Sequence, residues 1–177
     1  EVRAGIFECD SKMPGRNGMM RPPKKQRVSA GLLMYREGMR GLEIFLAHPG
    51  GPFFANRDDG VWSIPKGVPV RGESLLAAAE REFYEEVGLV PHGPYLDLGN
   101  ITQKGGKVVF AWAFWGEWIE GTPNRCNTFE LEWPPHSGRM CEFKEIDRVG
   151  FFTLDEARPR LKETQWPLVE RLVQALG

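Results

Sequence analysis

Gly67 to Leu89 reads GVPVRGESLLAAAEREFYEEVGL, a glycine-containing entry that opens into a run rich in Leu, Ala and Glu. The run places Glu80, Glu82, Glu85 and Glu86 within less than two helical turns. Residues three and four apart share a face of an α-helix, so Glu82, Glu85 and Glu86 project together. Like charges at those spacings repel by roughly a few tenths of a kcal/mol per pair, and a cation between them reverses the sign. Three carboxylates on one face therefore point to a site for a hard divalent metal, which takes oxygen donors.

The apolar residues of the same stretch point elsewhere. Leu76, Ala79, Phe83 and Val87 recur at steps of three or four and predict a core-facing stripe beside the acidic face. Upstream, Lys66-Gly67 and Arg71-Gly72 mark a loop, and Glu73 is expected in the first helical turn, where a negative charge suits the helix dipole. Downstream, Gly88 stands where a helix stops and Pro91 prevents its continuation.

Gly67, then Glu73, then Arg81-Glu82-Phe83-Tyr84-Glu85-Glu86-Val87-Gly88-Leu89 resembles the complete box of the Nudix hydrolases. The one departure is Phe83, at a position the family usually fills with an aliphatic residue. The entry Trp62-Ser63-Ile64-Pro65-Lys66-Gly67 is similar to that of the diadenosine tetraphosphatase-like and nucleoside triphosphate pyrophosphohydrolase branches. The resemblance implies an α/β/α sandwich with a mixed central sheet over residues 28 to 177. It implies metal ligation by Glu82, Glu85, Glu86 and the backbone carbonyl of Lys66, with Mg²⁺ as cofactor and Mn²⁺ as the alternative. On the same footing, Arg81 orients the glutamates and Glu73 braces the junction of loop and helix; the Lys66 side chain is open either to a phosphate or to a plain surface role.

A pyrophosphate is multiply anionic, and a water approaches it only once that charge is neutralised. Oxygen-ligated Mg²⁺ does this and can lower the pKa of a bound water. The expected reaction is hydrolysis of a phosphoanhydride in a nucleoside diphosphate linked to another group, with a dinucleoside polyphosphate or a nucleoside triphosphate favoured as substrate. Glu85 or Glu145 is expected to be the base. Two alternatives are a catalytically silent nucleotide-sensing module, against which the complete acid set counts, and an RNA 5′-end pyrophosphohydrolase.

The 177 residues suit one domain with a real core, and 41% apolar with 27% charged residues is ordinary for a globular protein. Basic and acidic residues nearly cancel, 23 against 24, so no overall field recruits nucleic acid or an anionic membrane. No apolar run approaches the roughly 20 residues that span a bilayer, and no secretory leader is visible at Glu1. Cys9, Cys126 and Cys141 are odd in number and lack CxxC spacing, which fits a reducing cytoplasm.

Along the chain, residues 1 to 27 read as a flexible arm with a basic patch from Arg21 to Arg27. Val28 to Arg36 and Leu42 to His48 read as a β-hairpin, with His48 open either to a substrate phosphate or to a local hydrogen bond at the strand end. Gln103 to Lys107 is a turn whose Lys104 and Lys107 are candidates to guide a polyphosphate, and Val108 to Trp115 is a strand buried on both faces. In Phe129 to Trp133, alternation puts Phe129, Leu131 and Trp133 on one side. The segment from Glu142 predicts one short strand and then a helix start, and Glu145 is the better match to the extra acid of related enzymes. Gln165 to Leu176 closes the chain as an amphipathic helix with Trp166, Leu168, Val169, Leu172 and Val173 toward the core.

Overall fold

The computed structural model describes residues 27–119 and 126–177. The expected arm apart from Arg27, and Cys9 with it, lie outside the described residues. The first two strands, β1 (Val28–Gly38) and β2 (Gly41–Pro49), form the expected hairpin, in register from Tyr35 opposite Ile44 to Gly38 opposite Gly41. Beyond Tyr35 the two strands part, and the segment before the acidic helix wedges between them. Its two-residue strand β3 (Lys66–Gly67) pairs antiparallel with Gly31 and Ala30 of β1, while Ser63 exchanges backbone bonds of 2.9 and 3.0 Å with Ala47 of β2. A Cβ at Gly31 would lie 2.6 Å from both the Lys66 Cβ and the Pro65 carbonyl oxygen, so the wedge requires glycine there.

The helix α1 (Leu75–Val87) follows, then β4 (Leu96–Thr102) and β5 (Val108–Trp115). β5 runs parallel to β1 and antiparallel to β4. After the short strands β6 (Thr128–Glu132) and β7 (Met140–Lys144), which form a separate hairpin, β8 (Ile146–Thr153) pairs with β2. The chain ends with α2 (Leu154–Arg160), a 3₁₀ turn at Glu163–Gln165 and α3 (Trp166–Leu176). The main sheet has six strands in the order β4-β5-β1-β2-β8, with β3 attached to β1.

Strand alternation makes two cores. Leu32, Met34 and Phe45 face α1, where Ala79, Phe83 and Val87 meet them. Leu33, Ile44 and Leu46 face the opposite way, toward Leu168, Val169 and Leu172 of α3. The sheet therefore lies between helices on both sides, the expected α/β/α sandwich with a mixed sheet.

Three local expectations are corrected. The segment from Glu142 is not one strand: the chain leaves the β6–β7 hairpin at Lys144 and enters β8 at Ile146, because β7 pairs with β6 and β8 with β2. Glu73 lies before the N-cap Ser74, whose Oγ accepts from the Ala77 N–H, and so outside the first turn. Val173 is 41% exposed, since Leu168, Val169 and Leu172 fill the α3 contact without it. No helix among the described residues is long and apolar enough to cross a membrane.

Candidate active site

The acidic face of α1 is set by what anchors its other side. Phe83 is fully buried and stands edge-on to Phe114, with ring centroids 5.2 Å apart. The aromatic substitution is thus absorbed by aromatic packing on β5. Gly88, at φ 81°, ends the helix, its N–H donating to the Tyr84 carbonyl at 2.8 Å. With the stripe fixed, Glu82, Glu85 and Glu86 turn toward β3 and the loop before the helix. Glu80, the fourth acid, stands apart and accepts the Tyr95 hydroxyl at 2.6 Å.

Arg81 ties this region together. Its Nε donates to Glu73 Oε1 at 2.9 Å and its Nη2 to Glu73 Oε2 at 3.0 Å, a bidentate pair. The Nη1 donates to Glu82 Oε1 at 2.8 Å and to Glu85 Oε2 at 3.2 Å, and Nη2 also reaches the Val68 carbonyl at 3.2 Å. Glu73 Oε2 in turn accepts the Val70 N–H at 3.0 Å. One guanidinium therefore fixes the loop and two of the three glutamates, and those hydrogen bonds hold Arg81 above its ordinary pKa and Glu73 below its own.

Glu82 and Glu86 converge on the backbone of β3. The Lys66 N–H donates to Glu86 Oε2 at 3.2 Å. A Cβ on Gly67 would lie 1.9 Å from the Glu82 Cδ and Oε2, so the glutamate carboxylate occupies the space a side chain would fill. Burial pushes the Glu86 carboxyl up to about 7; the Lys66 charge and N–H oppose this, while Glu82 and Glu145 add to it. Glu145 is exposed, and its backbone is held at both ends, its N–H donating to the Asn127 carbonyl at 2.8 Å and its carbonyl accepting the Gly50 N–H at 2.9 Å.

These donors fit a hard divalent cation in kind: all are oxygens, and the missing Cβ of Gly67 leaves the Glu82 carboxylate against the strand that carries the Lys66 carbonyl. Among the described residues, however, no three His, Cys, Asp or Glu side chains are placed so that they could hold a metal ion as they stand. Arg81 draws Glu82 and Glu85 to itself, and the Lys66 N–H holds Glu86.

Lysines face the acids. Glu86 feels Lys66, while Lys107 feels Lys66, Glu82 and Glu86. Lys104, also singled out from sequence, lines a cavity of ≈ 400 Å³ with Gly60, Gln103, Lys162, Glu163 and Thr164. Lys162 escaped the sequence reading. Burial, Lys66 and Lys107 push it down to about 8 against the opposing pull of Glu86, which places it beside the same site. No periodicity marks it, because it arrives through a tertiary bridge between Trp62 and Leu161.

His48 is not available to a phosphate. It is fully buried, with Nδ1 2.6 Å from Asp147 Oδ1 and Nε2 2.7 Å from the Arg57 carbonyl oxygen, which bears out the local hydrogen bond at the strand end. Phe129 faces Phe143 across the β6–β7 hairpin, and Trp133 stands edge-on to Phe53 at 5.4 Å.

A family profile described as the NUDIX domain matches residues 25–172. Among solved structures, the NUDIX domain of Shewanella oneidensis NrtR complexed with ADP ribose is similar at 16% identity and a TM-score of 0.62, covering 89% of this chain and 95% of that one. A C. elegans Ap4A hydrolase in a binary complex gives 17% identity and a TM-score of 0.57, covering 84% and 97%. A NUDIX hydrolase from Nitrosomonas europaea gives 20% and 0.54, covering 85% and 90%. At these identities the likenesses show the fold. No curated protein matches the chain.

Proposed function

The chain belongs to the NUDIX family, and on that premise we propose that it is a pyrophosphohydrolase, cleaving a phosphoanhydride in a nucleoside diphosphate linked to a further group. A dinucleoside polyphosphate or a nucleoside triphosphate is the favoured substrate, Mg²⁺ the cofactor with Mn²⁺ able to replace it, and the cytoplasm the compartment. The observation that carries this reading is the juxtaposition of the acidic face of α1 with Lys66, Lys107 and Lys162, the last of which lines one cavity with Lys104. The acids suit a cation and the lysines suit an anion, which is what a metal–polyphosphate complex presents.

Glu82, Glu85 and Glu86, with the Lys66 carbonyl, are the residues that would hold the metal. Bound there, Mg²⁺ would neutralise phosphate charge and acidify water. Arg81 is a positioning residue: it holds Glu82 and Glu85 on the helix face and, through Glu73, keeps the preceding loop against them. Lys66, Lys104 and Lys107 bind phosphate oxygens. Water attacks a phosphorus, the anhydride P–O bond breaks toward the leaving phosphate, and Glu85 or Glu145 takes the proton.

A nucleotide panel with Mg²⁺ tests the substrate class. It should hold diadenosine tetraphosphate, ATP, ADP-ribose, a nucleotide sugar and a 5′-triphosphorylated RNA, since known proteins of this fold include an Ap4A hydrolase and an ADP-ribose complex. The expected result is highest kcat/KM on the long-chain nucleotides, by at least about tenfold over ADP-ribose. Preference for ADP-ribose or RNA would reassign the substrate, and a blank across the panel would favour the nucleotide-sensing alternative.

A further inference from the structure

The cavity lined by Lys104 and Lys162 has two cationic walls, and only one of them belongs to the lysines that sequence singles out. Lys104 comes from the β4–β5 turn, and Lys162 faces it from the chain after α2. Resting on the polyphosphate reading above, we propose that this cavity receives the phosphates beyond the scissile bond and that Lys162 is a specificity-determining residue, selecting long phosphate chains over short ones.

Placement is the first ground. The Lys162 N–H donates to the Trp62 carbonyl at 2.9 Å, and its own carbonyl accepts the Gln165 N–H at 2.8 Å. Gln165 is fully buried, and its Oε1 accepts the Ile64 N–H at 3.0 Å. Both anchors lie on the Trp62–Lys66 segment that also carries the β3 cradle for Glu82 and Glu86. The backbone of Lys162 is thereby fixed to the same segment that carries the acid cradle.

Charge is the second ground. Among the described residues, Arg36, Arg40, Arg81, Arg148 and Arg160 each pair with a carboxylate within 4.0 Å, whereas Lys66, Lys104, Lys107 and Lys162 form no such pair. Burial first, and then repulsion from Lys66, hold both Lys107 and Lys162 below the ordinary lysine pKa. A half-buried ammonium without a carboxylate partner destabilises the fold, and an anionic ligand relieves it. Glu163 on the cavity rim is the one acid among the lining residues. A two-phosphate substrate would be engaged near α1, while each additional phosphate carries charge toward Lys162 and Lys104.

The test uses the full chain and two inorganic probes without added metal, so that binding is read apart from turnover. Calorimetric titration with tripolyphosphate and with pyrophosphate compares wild type, Lys162→Met and Lys162→Arg. Lys162→Met should weaken tripolyphosphate by about tenfold or more and pyrophosphate by less than about threefold, with Lys162→Arg restoring most of the loss. With Mg²⁺, KM for diadenosine tetraphosphate should rise in Lys162→Met while KM for ADP-ribose stays within about twofold. The methionine variant should melt at pH 7 no lower than wild type, which separates lost binding from lost fold. Unchanged tripolyphosphate affinity, an equal loss for both anions, or no tripolyphosphate binding by wild type would overturn the proposal. If the two anions behave as expected but wild type cleaves no nucleotide, the hydrolase reading fails and the cavity assignment stands. Normal turnover with no response to Lys162 gives the converse.

Discussion

Glu86→Gln should lower turnover by a factor on the order of a thousand and, without metal at pH 8, raise the melting temperature. The first effect follows from removing a carboxylate from the set proposed to hold the cation, where preorganised charge contributes most to rate. The second follows from linkage. The folded carboxyl sits at about 7, above its ordinary 4.5, chiefly because it is buried. A carboxyl raised by folding takes up its proton first in the folded state, so stability falls as pH rises through that window and the full penalty is present above about 7. Gln carries no such penalty. The gain at pH 8 should be on the order of 2 kcal/mol, or about 5 °C, and should vanish near pH 4. Thermal melts at the two pH values, beside steady-state rates with Mg²⁺, check both halves. A melt lowered at pH 8 would mean that the Lys66 N–H bond outweighs the burial of the charge.

Gly67→Ala should remove about 99% of turnover while leaving the melt within about 2 °C of wild type. The new Cβ would lie 1.9 Å from the Glu82 carboxylate, the far end of a flexible side chain, so the carboxylate moves and the backbone does not. The displaced Glu82 leaves Arg81 and β3 together, which dismantles the acid face without touching the core. Gly31→Ala is the matched contrast. Its Cβ would meet the Lys66 Cβ and the Pro65 carbonyl oxygen, both at 2.6 Å, which are backbone-fixed. That substitution should lower stability by about 1–3 kcal/mol. If Gly67→Ala also melts low, Gly67 serves the wedge rather than the cradle; if it stays fully active, Glu82 is not a ligand.

The parts of this architecture that were legible in sequence are those whose cause is local. Helix periodicity placed the stripe of Ala79, Phe83 and Val87, Gly88 marked the helix end, and the unbroken apolar run Val108 to Trp115 is β5, residue for residue. The acid face was legible for the same reason, since Glu82, Glu85 and Glu86 share it by helix geometry alone. What did not show was tertiary in origin. Nothing near Gly31 says that Pro65 and Lys66 will press against it. The division of the segment after Met140 into β7 and β8 depends on their having different partners, β6 and β2. Lys162 sits in RPRLKETQW, which offers no motif; its place follows from pairing between Trp62 and Leu161, far apart in the chain. Glu73 misled because its charge suits a helix start, whereas Ser74 takes the cap and leaves Glu73 to Arg81 and the Val70 N–H.

Arg81 also bears on how the site responds to metal. It holds Glu82 and Glu85 in the absence of a cation, which spares them unscreened repulsion, and a metal would compete with it for their oxygens. Cation affinity at this face is therefore the property on which everything else depends. Electron paramagnetic resonance of Mn²⁺ titrated into wild type, Glu85→Gln and Glu86→Gln reads it without reference to any substrate. The expected result is a bound-Mn²⁺ signal in wild type whose affinity drops by about tenfold or more in each variant. Equal Mn²⁺ affinity in all three proteins would contradict the assignment of α1 as the metal-holding element.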